Sequence, residues 1–204
     1  MSRPSVTYIN QLAYADVPYP TTLNPGDVLR EPHPSVARAG CGLCCVCMMV
    51  EFLTGERLSV EACINLSIRA GANYYGTDMN RLGRAAAKRF NLEMEVSQSV
   101  ETLELWLEAG GCAVIHAGRE HGLFSDGGHY LFADGLSMEA DWEGGGTAMK
   151  IWLLDPSFTE QKYERPDRRG RVELRDSHIL AGAELVKEEC AKRSPSFYLF
   201  KQRG

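Results

Sequence analysis

Residues 35–55, SVARAGCGLCCVCMMVEFLTG, are the stretch on which the interpretation of the whole chain depends. Positions 41–53 are apolar nearly all round, which predicts a helix that is buried on every side. The following Gly55 suits a helix C-cap. Cys41 comes directly after Gly40 and opens this helix, where unpaired backbone N–H groups and the helix dipole lower the pKa of a thiol. We therefore interpret Cys41 as a candidate nucleophile, with a small core cysteine as the alternative.

The seven cysteines are distributed unevenly along the 204 residues of the chain. Four of them lie within positions 41–47, too close together to join distant parts of a fold, and an odd number cannot all pair. A disulfide scaffold is therefore a poor interpretation, and reduced thiols in a cytosol-like compartment fit better. We see no signal-peptide pattern and no apolar run that is long enough for a membrane helix, so we expect a cytoplasmic protein.

The composition predicts one globular domain that spans residues 1–204. Hydrophobic residues make up 44% of the chain and charged residues 24%, which argues against disorder. Lysine and arginine number 22 against 27 aspartates and glutamates, so the net charge is −5. Such a chain lacks the basic surface that non-specific nucleic-acid binding requires. We expect neither nucleic acid nor a membrane as a partner.

The order of the predicted elements indicates the fold class. Five prolines within 17 residues make residues 1–40 an extended arm. Helices are predicted at 41–53, 59–69, 78–90, 100–108 and 176–192, and strands at 112–117, 129–133, 149–154 and 196–201. Three of the helices have candidate N-caps, which are Ser59, Thr77 or Asp78, and Ser99. The polar, glycine-rich residues 134–147 are predicted to form a long hairpin loop. Because most helices come first and the strands later, the pattern predicts an α+β fold with an antiparallel sheet.

A cysteine nucleophile needs a base, and His129 has the most favourable context among the five histidines. It follows Gly127 and Gly128 and opens the β-prone run HYLFA, whose strand would hold the imidazole rigidly. The two glycines leave room for another chain or a substrate close to the backbone. A histidine at a strand edge that faces water is the alternative interpretation.

A base needs a group that orients it, and Asp155 is the candidate. It ends the run KIWLLD and precedes Pro156, which stops a strand. A carboxylate there would hydrogen-bond a histidine on the neighbouring strand and fix its tautomer. Asp134 competes for this role, but an Asp-Gly pair is a turn signature. The chain order Cys41, His129, Asp155 fits a nucleophile, a base and an orienting acid. An ordinary turn residue at the end of a strand is the alternative interpretation of Asp155.

Around these residues the sequence resembles the papain-like cysteine peptidases related to the double-glycine leader peptidases of bacteriocin export. In that family a small-Gly-Cys-Gly sequence opens an apolar helix, as residues 35–55 do here. The likeness continues with YINQ at 8–11, GGHYLFADG at 127–135 and LLDPSF at 153–158. Because each motif is short, the specificity of the resemblance comes from their order and spacing.

The resemblance implies a papain-like α+β domain and a role for each site residue. It places the nucleophile at Cys41, the general base at His129 and the orienting carboxylate at Asp155. It also gives Gln11 the role of an oxyanion-hole donor, together with the Cys41 backbone N–H. The family usually has Pro and then Thr or Ser after Cys-Gly, whereas this chain has Leu-Cys-Cys. The substrate class is therefore the least determined property.

We expect a cysteine hydrolase that cleaves a peptide or amide bond through an acyl-enzyme intermediate, with no cofactor and no metal. The expected partner is a peptide or protein substrate. The N-terminal arm and the loops at 120–128 and 134–147 are the candidate walls of the cleft.

Other interpretations of the same residues compete with this one. Cys41 and Cys44 form a CxxC at a helix start, which is typical of dithiol redox proteins but would need a strand immediately before it. Four cysteines crowded on one helix do not surround a tetrahedral metal ion. A transglutaminase-like acyltransferase shares the order Cys, His, Asp, and a non-catalytic peptide-binding domain would share the scaffold. Within the peptidase interpretation, a reversible disulfide between Cys44 and Cys41 would switch the enzyme off.

Overall fold

The computed structural model describes residues 6–22, 34–118, 120–141 and 146–204. They form a seven-stranded antiparallel sheet with helices packed on both faces, which confirms the predicted α+β class. After a 3-10 helix at Gln11–Tyr14, the helices are α1 (Val36–Ala39), α2 (Cys41–Thr54), α3 (Val60–Arg69), α4 (Met79–Arg89), α5 (Val100–Glu108), α6 (Glu160–Glu164) and α7 (Ala183–Cys190). The strands are β1 (Leu92–Ser97), β2 (Cys112–Ala117), β3 (His129–Asp141), β4 (Gly146–Leu154), β5 (Glu173–Arg175), β6 (His178–Gly182) and β7 (Phe197–Gln202). Their order across the sheet is β1-β7-β2-β3-β4-β6-β5.

Helix α2 lies at the centre of one face of the sheet. Ten of its 14 residues are buried, because β2 and β3 cover one side of the helix and α3 and α4 cover the other. A helix that is apolar all round is stable only where every side is covered. Gly55 ends α2 in the left-handed conformation, with a φ of 73°, as predicted. The packing of the whole helix therefore fixes the position of its first residue, Cys41.

Three further helices begin at caps that the sequence predicted. Ser59, Asp78 and Ser99 each accept a hydrogen bond from the backbone N–H three residues further on, at 3.2, 3.1 and 3.0 Å. These side-chain oxygens satisfy N–H groups that have no partner inside the helix. The starts of α3, α4 and α5 are therefore set by local sequence.

The central strands divide the interior into two cores by simple alternation. In β3, Phe132 packs in the core that contains α2, whereas Leu131 and Ala133 pack in the core that contains α5 and α7. This period of two follows from the pleat of a strand. Because the two cores share one sheet, the arrangement supports the predicted single domain of residues 1–204, which stays a prediction.

None of the helices in the described parts of the chain is long and apolar enough to cross a bilayer. Helix α2, although strongly apolar, has 14 residues, whereas a membrane span needs about 20. Its apolar surface is covered by other elements of the fold.

The pairing of β3 with β4 brings two strand ends to one edge of the sheet. The antiparallel register places Phe132 opposite Leu154, the last residue of β4. Asp155, which follows β4, therefore lies beside the first residues of β3, where His129 stands. This is the neighbouring-strand arrangement that the sequence predicted.

The N-terminal arm is described at residues 6–22 and 34–40, and the rest of the predicted arm 1–40 lies outside the described residues. Apart from the 3-10 helix, the arm is held by isolated bridges, from Pro18 to Ser35 and from Thr22 to Tyr74. The first bridge joins two parts of the arm, and the second attaches the arm to the connection between α3 and α4.

The prediction of a loop at 134–147 is wrong for residues 134–141 and 146–147, and residues 142–145 lie outside the described part of the chain. Strand β3 continues to Asp141 and pairs with β4 along its length. The register shifts between Ala133 and Gly135, so the Asp-Gly pair sits in a β-bulge instead of a turn. Polar residues suit this ladder because the far half of the hairpin projects from the core, where Met138 is 59% exposed. Backbone pairing does not depend on apolar side chains.

The prediction of a helix at 176–192 is wrong in its first half. The run HILAG is strand β6, which pairs with β4, and only Ala183–Cys190 is helical. A short apolar run fits either period when it is taken alone. The edge of β4 that β3 leaves free offers hydrogen-bond partners to the backbone of this segment, and the segment therefore forms a strand. The sequence also left β1, β5 and α6 unpredicted.

Gly118 follows β2 and makes a close backbone contact. Its φ is 142°, and a Cβ added there would stand 1.9 Å from the carbonyl oxygen of Gly127. A Cβ at Gly127 would meet nothing within 4 Å. The sequence predicts room for another chain at Gly127 and Gly128, and the close backbone contact that excludes a side chain is made by Gly118 against Gly127.

We predict that Gly118→Ala lowers the free energy of unfolding by about 2–3 kcal/mol, because the methyl group collides with backbone and the φ disfavours an L side chain. Gly127→Ala is the matched control and should change it by no more than about 0.5 kcal/mol. Urea unfolding of the two variants measures the difference. Equal losses in both would contradict the assignment of the close contact to Gly118.

Candidate active site

Cys41 is the first residue of α2 and lines an open cleft. Gly40 stands before it, and no side chain in the described residues caps this helix. The first backbone N–H groups of α2 therefore have no partner inside the helix, and they lie near the sulfur of Cys41. The Cys41 side chain is partly exposed, whereas the other six cysteines are buried. The thiol that sequence analysis singled out is the one that a substrate can reach.

His129 opens β3 and is 6% exposed. Its Nε2 lies 2.6 Å from Oδ1 of Asp155. Because the carboxylate occupies Nε2, the ring nitrogen left for Cys41 is Nδ1, and the ring and the thiol share a hydrogen bond. The structure thus brings together the three residues that the sequence selected as nucleophile, base and orienting acid.

Asp155 is fully buried, and donors surround its carboxylate. Oδ1 accepts a hydrogen bond from the Ser157 backbone N–H at 2.8 Å. Oδ2 accepts from Lys162 Nζ at 2.5 Å and from the Tyr163 hydroxyl at 2.7 Å. Burial alone would raise the pKa of the Asp155 carboxyl, but the charges of His129 and Lys162 hold it well below its usual range. Asp155 is therefore an anion at neutral pH.

Three members of this network were missed by sequence reasoning. Ser157 Oγ lies 3.1 Å from His129 Nε2 and accepts a hydrogen bond from Lys162 Nζ at 2.8 Å. A serine two residues after an aspartate is a recognisable turn pattern, so Ser157 carried a local signal. Lys162 and Tyr163 come from α6, and nothing in the sequence connects that short helix to the site. Folding alone brings them to Asp155.

The charges of Cys41 and His129 stabilise each other. Burial lowers the pKa of His129, but the charge and hydrogen bond of Asp155, followed by the contact with Cys41, raise it to about 9. Burial raises the pKa of the Cys41 thiol, but the hydrogen bond and positive charge of His129 bring it below its ordinary value. Both shifts favour a thiolate–imidazolium pair.

The neighbouring cysteines have a different character. Burial raises the pKa of Cys44 and Cys45 well above the ordinary value, and nearby thiols raise it further. The chain before Cys41 forms α1, not the strand that a dithiol redox fold requires. No group of three or more side chains suited to hold a metal ion occurs among the described residues. The reversible disulfide between Cys41 and Cys44 stays a prediction.

Asp134, the competing carboxylate, is engaged elsewhere. It is buried in β3, and its Oδ2 lies 3.1 Å from Nε2 of His178 on β6. The predicted turn duty of Asp134 is wrong, because a bulge accommodates the Asp-Gly pair within the strand. The carboxylate that contacts His129 is that of Asp155.

Gln11 begins the 3-10 helix and is 6% exposed. Its Nε2 donates a hydrogen bond to the carbonyl oxygen of Ala37 at 2.7 Å. Ala37 lies in α1, the short helix that precedes Cys41, so the amide is anchored on α1. Its Oε1 is buried with no hydrogen-bond partner among the described residues. One of the two N–H groups of Nε2 is occupied by the Ala37 carbonyl.

The YINQ segment is fastened to the residues that follow β4. The Tyr8 hydroxyl donates to the carbonyl oxygen of Asp155 at 2.6 Å, and the Gln11 backbone N–H donates to that of Pro156 at 2.7 Å. Asn10 Nδ2 donates to the carbonyl oxygen of Phe158 at 2.9 Å. Sequence analysis recognised both motifs but not that they bind each other across almost 150 residues.

The cleft beside Cys41 has a volume of about 620 Å³. Its lining comes from the N-terminal arm, the connection between α3 and α4, the start of β3, His116 on β2 and the segment before β7. Of the predicted walls, 120–128 contributes Gly128, and the described part of 134–147 does not line this cleft. Gly42 does not provide room for substrate, because it is buried where an added Cβ would stand 2.9 Å from Thr77.

Solved structures of C39 peptidases share this fold. The peptidase domain of Streptococcus ComA, a bifunctional ABC transporter involved in a quorum-sensing pathway, matches with a TM-score of 0.51 and 14% identity over 81% of this chain and 93% of that chain. A protein named as a C39-like peptidase, from Bacillus anthracis, matches with a TM-score of 0.59 and 13% identity over 98% of this chain and 96% of that chain. No family model and no curated protein matches the sequence. The likeness confirms the predicted papain-like peptidase fold.

We predict that iodoacetamide alkylates Cys41 with a pH midpoint below that of an ordinary thiol, because the reacting species is the thiolate and His129 stabilises it. His129→Gln removes the positive charge that lowers the pKa of the Cys41 thiol. Burial then raises this pKa, so the midpoint moves to higher pH. Peptide mapping by mass spectrometry between about pH 5 and 9 follows each thiol separately. An unchanged midpoint in His129→Gln would disprove the ion pair.

We predict that Lys162→Met lowers the free energy of unfolding by about 3 kcal/mol, since it leaves the buried Asp155 carboxylate with one donor and one countercharge fewer. Lys187→Met is the matched control, because Lys187 forms an exposed ion pair with Glu184 at 3.3 Å. Its removal should change the free energy by no more than about 0.5 kcal/mol. Urea unfolding at pH 7 compares the two, and equal effects would contradict a special role for Lys162.

Proposed function

We propose that this chain is a cysteine peptidase that hydrolyses a peptide or amide bond with Cys41, His129 and Asp155. The observation that carries the proposal is the 2.6 Å contact between His129 Nε2 and Asp155 Oδ1, on a ring that also hydrogen-bonds the one accessible thiol. A rigid imidazole between a thiol and a buried carboxylate is the arrangement that nucleophilic catalysis by cysteine requires. The C39 peptidase fold supports the same conclusion.

In the resting enzyme, the proton of Cys41 is held on Nδ1 of His129. The Cys41 thiolate attacks the carbonyl carbon of the scissile bond and forms the C–S bond. The negative charge moves to the carbonyl oxygen, which needs donors that are already in place. Asp155 keeps the ring in position through Nε2 and stabilises the imidazolium during this step.

The oxyanion is bound by two donors in this proposal. One is the backbone N–H of Cys41, which lies in the first turn of α2 and has no partner inside the helix. The other is the second N–H of Gln11 Nε2, whose first N–H is anchored on Ala37. That anchor fixes the amide before substrate arrives, so little reorganisation is needed as the charge develops.

Collapse of the tetrahedral intermediate breaks the carbon–nitrogen bond. The His129 imidazolium gives its proton to the leaving amine, which departs and leaves a thioester on Cys41. The neutral ring then takes a proton from water, and the hydroxide attacks the thioester. The acid is released and the thiolate is restored. The proposed reaction uses groups of the protein and one water molecule, and it requires no cofactor or metal.

The substrate of the proposed enzyme is a peptide or a protein segment that lies in the 620 Å³ cleft beside Cys41. The seven free thiols fit a reducing compartment, such as the cytoplasm. The competing acyltransferase would use the same acyl-enzyme and differ only in transferring the acyl group to an amine. Product analysis with and without an added amine distinguishes the two.

We predict that the protein cleaves members of a random peptide library, and that Cys41→Ala abolishes this cleavage. His129→Ala should lower the rate at least about 100-fold, and Gln11→Ala about 100-fold through kcat, because they remove proton transfer and an oxyanion donor. His121→Asn is the matched control, since His121 is an exposed histidine of the preceding loop. New termini are counted by mass spectrometry. Cleavage that survives in Cys41→Ala would refute the proposal.

A further inference from the structure

The cleft beside Cys41 contains a positive charge for which the proposed mechanism has no use. Arg193 lies in the segment before β7 and lines the cleft. Its backbone is held on both sides, since its N–H donates to the Cys190 carbonyl at 2.9 Å and its C=O accepts from Ser196 Oγ at 2.9 Å. The side chain is half-buried. This arginine is therefore a fixed part of the wall.

The guanidinium of Arg193 has most of its hydrogen-bonding capacity unused. Its Nε donates to the Gly118 carbonyl at 3.2 Å, and no carboxylate of the described residues lies within ion-pair distance. Four of the five N–H groups of an arginine are then left for another partner. A half-buried guanidinium whose Nη1 and Nη2 edge is free is suited to bind a carboxylate through two parallel hydrogen bonds.

The Arg193 guanidinium lies against the backbone that leads into His129. Its Nη2 is 3.4 Å from the place where a Cβ of Gly128 would stand, and His116 Nε2 is 3.5 Å from the same place. Because Gly128 is directly before His129 in the chain, the cation stands next to the proposed catalytic base. Because Gly128 has no side chain, the Arg193 guanidinium stays open to the cleft.

The other charges of the cleft do not cancel that of Arg193. Burial, followed by the charge of Arg193, lowers the pKa of His116 to about 4, so His116 is neutral at pH 7. Asp78 lines the cleft, but its Oδ1 caps Arg81 N at 3.1 Å and its Oδ2 pairs with Arg81 Nε at 3.3 Å. Among the described residues, Asp78 is the one carboxylate that lines this cleft, so the charge of Arg193 is not cancelled there although the chain carries a net charge of −5.

We propose that Arg193 binds a carboxylate of the substrate beside Cys41, supplied either by an acidic side chain or by the free C-terminus of a peptide. The proposal rests on the proposed peptidase function and adds a determinant of substrate choice to it. Arg193 is a substrate-binding residue and takes no part in proton transfer. Its loss therefore changes which substrates are used and leaves the chemistry intact.

The first test compares two alkylating reagents of similar size, since iodoacetate carries a carboxylate and iodoacetamide does not. The rate at which iodoacetate alkylates Cys41, divided by the rate for iodoacetamide, should fall about threefold in Arg193→Gln. This ratio should stay near the wild-type value in Arg193→Lys. Arg203→Gln makes the same charge change at the exposed end of the chain and should leave the ratio unaltered. The iodoacetamide rate checks that the site is intact. An unchanged ratio in Arg193→Gln would overturn the proposal.

The second test uses a peptide that the wild-type protein cleaves, remade in three forms. One is amidated and carries glutamine, one is amidated and carries glutamate, and one carries glutamine with a free C-terminus. One of the two carboxylate forms should exceed the neutral form at least about tenfold in kcat/KM, through KM. Arg193→Gln should remove this preference and leave cleavage of the neutral form within about twofold. The preferred form identifies the source of the carboxylate.

The outcomes separate the two proposals. If the wild-type protein cleaves all three forms equally, the Arg193 proposal is wrong and the peptidase proposal stands. If no peptide is cleaved at all, the peptidase proposal fails, and the alkylation ratio still decides whether Arg193 attracts a carboxylate to Cys41. If Arg193→Gln does not fold, the wild-type preference among the three peptides carries the test, and equal cleavage of all three overturns the proposal.

Discussion

A buried negative charge organises this molecule. The Asp155 carboxylate has no exposed surface, so its ionised form depends on the donors that surround it. They come from β3, from α6 and from the turn after β4, while the N-terminal arm holds the Asp155 backbone through Tyr8. Four parts of the chain therefore meet at one residue, and two of them, β3 and the N-terminal arm, are remote from it in sequence. The position of His129 follows from that meeting.

The second constraint is the burial of α2. A helix that is apolar on every side has one stable place, between the sheet and the other helices, and this fixes its first residue at the cleft. The thiol of Cys41 thus meets the imidazole of His129, although the two residues stand 88 positions apart in the chain. The result is a thiol whose pKa falls although burial opposes it, beside thiols of the same helix whose pKa rises. Tertiary environment, and not residue type, separates them.

Fold and specificity have different physical origins in this protein. The sheet and its helical layers are shared with C39 peptidases at 13–14% identity, so very different side chains build the same scaffold. The cleft is lined mainly by connections, including the turn between α3 and α4 and the segment before β7. Connections vary without disturbing the core. The charge of Arg193 is a property of such a segment, and the scaffold alone does not imply it.

The sequence alone predicted the helices and strand ends that depend on residues close together in the chain. It predicted α2 from continuous apolarity, three helix starts from Ser59, Asp78 and Ser99, and the order of nucleophile, base and acid from strand ends and a helix start. It failed where long-range pairing decides, as in the hairpin at 134–147 and the strand in 176–182, because backbone partners outweigh side-chain pattern there. Only the tertiary structure could bring the Tyr8 hydroxyl to Asp155 or place Arg193 beside the cleft. Contacts between residues that are distant in sequence have no signature in either segment alone, since they arise from the packing of the whole chain.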